Sequence, residues 1–300
     1  MLLRSVTTPF AWLATRARKP TKLVAIVIPI SSRPTLRPDE EISLRQLKKH
    51  LGSYDTFLIA SPDSPIRIPG IARKEFPRRF FGSVSAHNWL LFSPSLYRAF
   101  SEYRYILFYH LDSLVLSDQL EQWCAAGVDY IGPPWISCED SPWVTRPRVG
   151  NGGFTLLNVR AALDVLYRRY RTSPLFFWID HVFHNGPGPR RFMQTLQRLR
   201  QRFPRSKLIT RPLHEWEAME NPSATCRHND LFWSDEAVKY LPSFKVASLA
   251  QGLQFAFEAS PRTCLQMNGG RLPFGCHAWA RYDHEFWERV MAERSPLQPA

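Results

Sequence analysis

An aspartate lies in a polar turn directly after a strongly apolar segment. Tyr105–Tyr109 is entirely apolar or aromatic, which is typical of a fully buried strand. The chain then changes to His110-Leu111-Asp112-Ser113. Ligands of open α/β sheets bind outside the carboxyl ends of the strands, which is where this pattern places Asp112. The pattern predicts either a ligand-binding carboxylate or a turn in which Asp112 only accepts hydrogen bonds from backbone amides.

Two other charged residues follow predicted strands earlier in the chain. Lys22–Ile30 and Thr56–Ala60 are predicted strands, and the amphipathic segment Asp39–Leu51 between them is a predicted helix. This β-α-β order is the unit of a parallel sheet with helices on its faces. Arg33 follows the first strand and Asp63 the second, so each either contacts a nucleotide or serves only its turn.

The remaining elements are predicted from apolar patterns and capping residues. Ile66–Phe81 is rich in proline and arginine and is predicted to be a surface loop. Capping boxes predict helix starts at Asp118, with Glu121, and at Ser248, with Gln251. Other patterns predict helices over Ser83–Leu91, from Ser93 onward and over Val159–Tyr170, and a short strand over Val128–Gly132.

Three further segments carry residues that can form a site. Asn151-Gly152-Gly153 precedes an apolar run, and paired glycines indicate either close approach of the backbone to a ligand or strand, or a tight turn. Asn229-Asp230 precedes the aromatic pair Phe232-Trp233. His277 lies among aromatic residues, where a lone histidine is more often a packed core residue than a ligand.

The charge of the chain predicts an anionic partner. The net charge is +13 over 300 residues, and arginine dominates the segment 160–211, where the only acidic residues are Asp164 and Asp180. Solvated helix faces, attraction to an anionic lipid surface or phosphorylated acceptor, and nucleic-acid binding are the alternatives in that order. The segment has no zinc-finger or RNA-binding signature, so nucleic acid is the weakest of them.

The cysteines predict a cytoplasmic protein, and the N-terminus leaves several interpretations open. The five cysteines form no CxxC pair, which argues against a zinc ribbon or a disulfide framework and favours reduced thiols. No segment reaches the roughly 20 apolar residues of a membrane span. Residues 1–21 are predicted to be a flexible basic arm, with a membrane-surface helix or a transit peptide as alternatives. Residues 22–290 form the predicted domain and 291–300 a tail.

Several common catalytic motifs are absent from the sequence. It contains no GxGxxG, GxxxxGK[ST], HExxH or GxSxG. These absences argue against a Rossmann dehydrogenase, a P-loop NTPase, a zincin and an α/β-hydrolase.

Three sets of segments, in this order, resemble a known family: YILFYHLDSLVL, VGNGGF with NDLFWSD, and LPFGCHAW. The family is domain of unknown function 5672, which is similar to nucleotide-sugar glycosyltransferases of the GT-A architecture. The resemblance extends over roughly Leu23–Trp287. It implies a single GT-A-like α/β domain, whose mostly parallel central sheet is flanked by helices and carries a small antiparallel element. It also implies a hexosyltransferase-like enzyme that moves a sugar from a nucleotide-diphosphate donor to a hydroxyl acceptor.

The same resemblance implies a metal site. GT-A enzymes hold a divalent metal on the donor diphosphate with an Asp-x-Asp motif, and Asp112 matches the second aspartate. His110 stands in place of the first. A histidine near the end of the domain often completes the site, and His277 is the candidate. Imidazole makes manganese a better fit than magnesium, and metal independence stays open.

For the acceptor, the resemblance implies one base and several lining residues. An acidic pair of the family corresponds to Asn229-Asp230, so Asp230 is the expected base in a direct displacement with inversion. Asn151-Gly152-Gly153 matches a stretch on the acceptor side. Trp135 and Trp233 either stack on a sugar or pack in the core. Arg33 would assist the leaving diphosphate.

Two other classes of function stay open at the level of sequence. Because the first aspartate is replaced, the chain is alternatively a nucleotide-sugar- or glycan-binding protein that has lost transfer. The basic middle segment leaves nucleic-acid binding as the third interpretation. For an enzyme, the expected partners are a nucleotide-sugar donor and a glycan or lipid-linked acceptor of the cell envelope, with peripheral membrane contact through the basic surface.

Overall fold

The computed structural model of the chain describes residues 19–30, 33–172, 189–206, 209–210, 213 and 228–294. Most of the predicted N-terminal arm, 19 of the 52 residues of the basic segment 160–211, and Cys226 therefore lie outside the described residues. The strands are β1 Lys22–Pro29, β2 Thr56–Ala60, β3 Ala72–Glu75, β4 Tyr103–Tyr109, β5 Leu114–Val115, β6 Tyr130–Ile131, β7 Pro134–Trp135, β8 Arg148–Val149, β9 Phe154–Asn158, β10 Ala256–Phe257 and β11 Gly275–Cys276.

The helices in the described part of the chain are mostly short. They are α1 Pro38–Leu51, α2 Val84–Leu91, α3 Pro94–Arg98, α4 Leu120–Ala125, α5 Val159–Thr172, α6 Pro189–Arg202, α7 (residues 229–240), α8 Leu249–Phe255, α9 Pro261–Met267 and α10 His284–Arg294. Helix α7 runs through Asn229–Leu231, a π-helical segment Phe232–Glu236 and Ala237–Tyr240. In these ranges, no helix combines the length and the apolar character needed to cross a membrane.

A six-stranded sheet in the order β3-β2-β1-β4-β9-β6 forms the centre of the molecule. Strands β1 to β4 are parallel, and β9 is antiparallel to both of its neighbours. Val24–Ile28 is buried at five successive positions, as expected where both faces of a strand are covered. Helix α5 packs against β4, β9 and α3, and α4 packs against β1. The predicted α/β class, with a mostly parallel central sheet and a small antiparallel element, is confirmed.

Local capping explains where several helices begin. Ser83 and Ser93 accept hydrogen bonds from the first turns of α2 and α3, and Ser248 forms the predicted capping box with Gln251 at α8. The predicted box of Asp118 and Glu121 is wrong. Helix α4 begins one residue later than such a box requires, after Gln119, which makes no side-chain cap.

The predicted surface loop over 66–81 is also wrong in part. Its centre forms β3, which extends the sheet beside β2 with Leu58 opposite Arg73. The strand has the sequence ARKE and is half-exposed, so it lacks the apolar alternation that predicts a strand. Backbone hydrogen bonds to a preformed neighbour define this polar edge strand.

A second, smaller apolar cluster supports the C-terminal segment beside the end of β4. A three-stranded sheet in the order β10-β11-β5 contributes Phe257 and Cys276 to it. Trp279 and Trp287 are almost fully buried there. Because β5 follows directly after the turn at Asp112, this cluster fixes the last described part of the chain against the carboxyl end of the main sheet.

Candidate functional site

The turn after β4 is held by backbone hydrogen bonds from distant parts of the chain. The amide of His110 donates to the carbonyl of Gly153 at 2.8 Å, and the amide of Trp279 donates to the carbonyl of Asp112 at 3.1 Å. Strand β5 pairs with β11 so that Leu114 lies opposite Cys276. This register brings His277 next to Asp112, although 165 residues separate them in the sequence.

Asp112, His277 and Glu258 form a continuous chain of polar contacts. Asp112 Oδ1 lies 3.3 Å from His277 Nε2, and Glu258 Oε1 lies 3.0 Å from His277 Nδ1. Asn151 Nδ2 donates to the same Glu258 oxygen at 2.5 Å. Sequence reasoning missed Glu258. Glu258 has the same sequence signal as Asp112, because it is a carboxylate that comes directly after a buried strand, here β10.

The two carboxylates control the charge of the ring between them. Burial disfavours the imidazolium, but the hydrogen bonds and charges of Asp112 and Glu258 raise the pKa of His277 to about 10. Burial likewise disfavours the Asp112 carboxylate, but contact with His277 moves the pKa of Asp112 well below its usual value. The pair is therefore ionised at neutral pH when no metal competes for the ring nitrogen.

The neutral ring of His110 lies beside the pair formed by Asp112 and His277. Its ring meets that of His277 edge-on at 5.8 Å and that of His87 at 5.6 Å between centroids. Burial lowers the pKa of His110 to about 3, and for the same reason the pKa of His87 lies at about 4. The buried Nε2 of His110 has no hydrogen-bond partner among the described residues, so this nitrogen is available to a ligand.

The residues present fit a divalent metal ion. One ligand atom each from His110, Asp112 and His277 lies within 4.8 Å of the others. Two imidazoles and one carboxylate suit first-row transition metals such as iron or zinc, and they are accepted by manganese more readily than by magnesium, which prefers oxygen ligands. Asp112 and His277, the sequence-predicted ligands, thus lie together, and the structure adds His110 as a third candidate.

Gly153 is required by the close approach of His277. A Cβ atom at position 153 would lie 1.9 Å from His277 Nε2, which is far inside van der Waals contact. Gly152 is less constrained, since its Cβ would lie 3.0 Å from Asn229 Oδ1. Close approach of the backbone therefore applies at Gly153, where the approached group is the side chain of His277 rather than another strand.

Two cavities meet beside this cluster. The first, of about 590 Å³, is lined by His87, His110 and His277 together with residues of α2 and the glycine pair. The second, of about 520 Å³, lies between β7, β8 and the segment after β10. Asn151, His228 and Asp230 line both. A carboxylate at such a junction can contact a molecule in either cavity.

Asp230 has the environment of a base. It lies in the first turn of α7, where its Oδ1 accepts a hydrogen bond from the amide of Leu231 at 2.9 Å. Burial raises the pKa of Asp230 above the ordinary value, which makes the carboxylate more basic. The preceding Asn229 donates through Nδ2 to Asn88 Oδ1 at 2.8 Å, so that α2 fixes the start of α7.

The two charged residues after β1 and β2 are in different surroundings. Arg33 pairs with Glu40 at 2.5 Å and lines both the first cavity and a smaller one of about 180 Å³ that reaches Asp112. Asp63 is exposed, contacts Ser61, and pairs with Arg78 at 3.2 Å. It lines none of these cavities, so the structure does not bring Asp63 to the cluster, and the turn interpretation accounts for it.

The two predicted sugar-stacking tryptophans differ in burial. Trp135 lines the second cavity. Trp233 is 2% exposed and packs between Tyr97 and Phe244, at 5.9 Å and 6.0 Å between ring centroids. The acceptor-binding prediction for Trp233 is therefore wrong, because no face of its ring is accessible. Its place in an apolar aromatic run indicated the core as well as a sugar site.

Replacing Trp233 by alanine tests this assignment. We expect the free energy of unfolding to fall by about 3–5 kcal/mol, as for other buried aromatic side chains, because the cavity left behind cannot be filled. Urea unfolding without any ligand measures the change. Trp143, which is 56% exposed, is the matched control, and its alanine variant is expected to stay within about 0.5 kcal/mol of wild type. Equal stability of both variants would contradict the core assignment.

Comparison with known proteins identifies the family. Residues 70–277 match the model of the family described as "Protein of unknown function (DUF5672)". The chain belongs to the DUF5672 family. The matched part of this DUF5672 chain runs from just before β3 to His277, and thus includes Asp112, Gly153, Asp230 and Glu258. In a comparison with curated proteins, nothing matches the chain.

Solved structures similar to the DUF5672 chain include two glycosyltransferases. The apo-form glycosyltransferase GlyE of Streptococcus pneumoniae TIGR4 aligns at 13% identity and a TM-score of 0.39, covering 89% of this chain and 60% of GlyE. Mouse xyloside xylosyltransferase 1, also in its apo form, aligns at 12% identity and a TM-score of 0.36, covering 85% and 97% of the two chains. The DUF5672 chain thus spans about 60% of the GlyE chain.

Proposed function

We propose that this DUF5672 protein is a glycosyltransferase that moves a sugar from a nucleoside-diphosphate donor to a hydroxyl acceptor. The proposal rests mainly on one arrangement of side chains. Candidate metal ligands at the end of β4 border a cavity, and the basic carboxylate of Asp230 lies where that cavity meets a second one. The resemblance of the three sequence segments to GT-A enzymes supports the same reaction.

The residues at the end of β4 would hold the donor. His110, Asp112 and His277 would bind a divalent ion, with manganese favoured over magnesium by the two imidazoles. Such an ion acts as a Lewis acid that stabilises the charge of the leaving diphosphate. Arg33, whose guanidinium is paired with Glu40, would lie on the cavity wall on the same side.

Asp230 would act on the acceptor. Its raised pKa suits it to remove the proton of an attacking hydroxyl, and it faces the cavity opposite the donor. The oxygen would then displace the diphosphate from the anomeric carbon, with inversion of that centre. Glu258 would hold His277 in position, because it contacts the ring nitrogen on the side away from Asp112.

The replacement D230N tests the proposal. We expect wild-type protein with manganese to release nucleoside diphosphate from at least one member of a nucleotide-sugar panel when a glycan acceptor is supplied. D230N should lower that rate by roughly 10²–10⁴-fold, as is usual for loss of a general base, while nucleoside diphosphate still raises the melting temperature. The coupled detection of released diphosphate measures the rate.

Each other outcome of this assay has a clear meaning. Full activity of D230N would remove Asp230 from the mechanism. Binding of nucleotide sugar by wild type without any release would favour the binding protein that has lost transfer. If no nucleotide changes the melting temperature in the presence of manganese, the proposed function is wrong.

A further inference from the structure

We propose that the second cavity is the acceptor site and that it selects a neutral or aminated pyranoside over a phosphorylated or carboxylated one. The inference rests on the proposed glycosyltransferase function and goes beyond it by specifying the acceptor class. It runs against the net charge of the whole chain, +13, which by itself predicts an anionic partner.

An exposed tryptophan provides the sugar-binding surface of this cavity. Trp143 is 56% exposed, so a face of its ring is open to a molecule in the cavity. Its ring meets that of Trp135 edge-on at 5.6 Å, and both rings line the cavity with Tyr282. Aromatic walls with a few polar groups are typical of small-molecule sites, and a pyranose presents an apolar face to such a ring.

Trp135 supports that ring and is less available itself. It is 7% exposed, and the guanidinium of Arg148 lies 4.9 Å from its ring centroid. A Cβ atom at Gly150 would lie 2.2 Å from the same ring, so the backbone there packs directly on it. The exposed ring of Trp143, rather than that of Trp135, is therefore the one that a sugar can cover.

Among the described residues, the cavity is lined by three carboxylates, of Asp140, Asp230 and Glu258, and by one guanidinium, of Arg148. Asp140 and Asp230 line it, and neither has an ion-pair partner among the described residues. The guanidinium of Arg148 is already bound at two points by Asp235, with Nε–Oδ1 and Nη2–Oδ2 distances of 2.9 Å. Among the described residues, a phosphate or carboxylate entering this cavity would meet like charge, and the one guanidinium that lines it is already paired, whereas a hydroxyl or ammonium group finds acceptors.

The position of the cavity fits an acceptor. It shares Asn151, His228 and Asp230 with the first cavity. A pyranoside stacked on Trp143 would therefore have the Asp230 carboxylate at its inner end, where it can accept a hydrogen bond from a sugar hydroxyl. The nucleotide-sugar donor need not enter the second cavity, because the candidate metal ligands His110 and His277 line the first.

Binding of monosaccharide probes to the full chain tests the inference. The probes are methyl glucoside, methyl glucosaminide, glucose 6-phosphate and methyl glucuronide, measured by saturation-transfer NMR with manganese-free protein. We expect the first two to bind at least 10-fold more tightly than the two anionic probes. W143A should weaken their binding about 10-fold, whereas F203A, which removes an aromatic ring that is 51% exposed outside these cavities, should leave it unchanged.

A charge variant provides a second, independent readout. Asp140 is exposed, so D140K is expected to fold and to reduce the preference against the anionic probes by about 5-fold. Equal or tighter binding of the anionic probes by wild type, no binding of any probe, or full binding by W143A would each overturn the inference. Stabilisation by nucleoside diphosphate and manganese is measured on the same samples. If it is present while the probe preference fails, only this inference is wrong; if it is absent as well, the proposed function is wrong.

Discussion

Replacing Asp112 by asparagine is expected to abolish the stabilisation of the protein by manganese together with a nucleoside diphosphate. Asparagine keeps the shape of the side chain but removes the only negative charge among the three candidate ligands, His110, Asp112 and His277. We expect metal affinity to fall by roughly 100-fold or more, since loss of even an outer partner of a ligand costs 10–100-fold. Wild type at 100 times the dissociation constant should gain about 2.7 kcal/mol, which corresponds to several degrees in melting temperature.

The matched control for this experiment is D63N. Asp63 also follows a strand of the central sheet, but it is exposed and pairs with Arg78 away from the cavities. D63N is therefore expected to respond to manganese and nucleotide as wild type does. A wild-type response of D112N would show that the Asp112 carboxylate serves only the turn after β4. The proposed function would then require that the nucleotide binds without a metal held by Asp112.

Replacing Gly153 by alanine is expected to destroy the same site by a steric route. The added methyl group would occupy the position of the His277 ring, so either the ring or the β9 backbone has to move. We expect a loss of about 1–3 kcal/mol in the free energy of unfolding, the usual cost of overpacking. Manganese binding should be lost as well. Urea unfolding and metal titration measure the two effects separately.

A double-mutant cycle gives this prediction its control. In the H277A background the ring is absent, so G153A should destabilise the protein by less than about 0.5 kcal/mol, and the double variant should lose clearly less stability than the sum of the two single variants. G152A, whose methyl group meets only the Asn229 amide, should keep manganese binding. If G153A lowers the free energy of unfolding equally with and without the His277 ring, the close approach to His277 is not the reason why residue 153 is a glycine.

The sequence predicted the strands that carry the site because their signals are local. The strand at Thr56–Ala60 has the predicted bounds, and β4 begins two residues before the predicted Tyr105. An apolar run and the turn residues that follow it lie within a few positions of each other, so pattern alone identifies them. The same logic failed for β3, whose polar sequence forms a strand only because a neighbouring edge is present.

Among the candidate residues, the sequence recognised side chains but not their surroundings. It singled out Asp112, His277 and Asp230. It did not distinguish Trp233, which packs in the core, from Trp135, which lines a cavity. Burial of a particular ring depends on helix α7 packing against α5 and on the aromatic neighbours of Trp233, and none of these contacts is encoded near the residue itself.

By itself, the sequence determined the family, the α/β class and a carboxylate at the end of a buried strand. Only the tertiary structure decided which groups meet that carboxylate. The pairing of β5 with β11 brings His277 to Asp112, and the end of β10 supplies Glu258. The contact of His277 with Asp112 joins segments more than a hundred residues apart, and its register is set by the pairing of β5 with β11 and by the packing of the C-terminal apolar cluster. The orphan nitrogen of His110 appears only when that packing is complete, and with it the third candidate ligand of the metal.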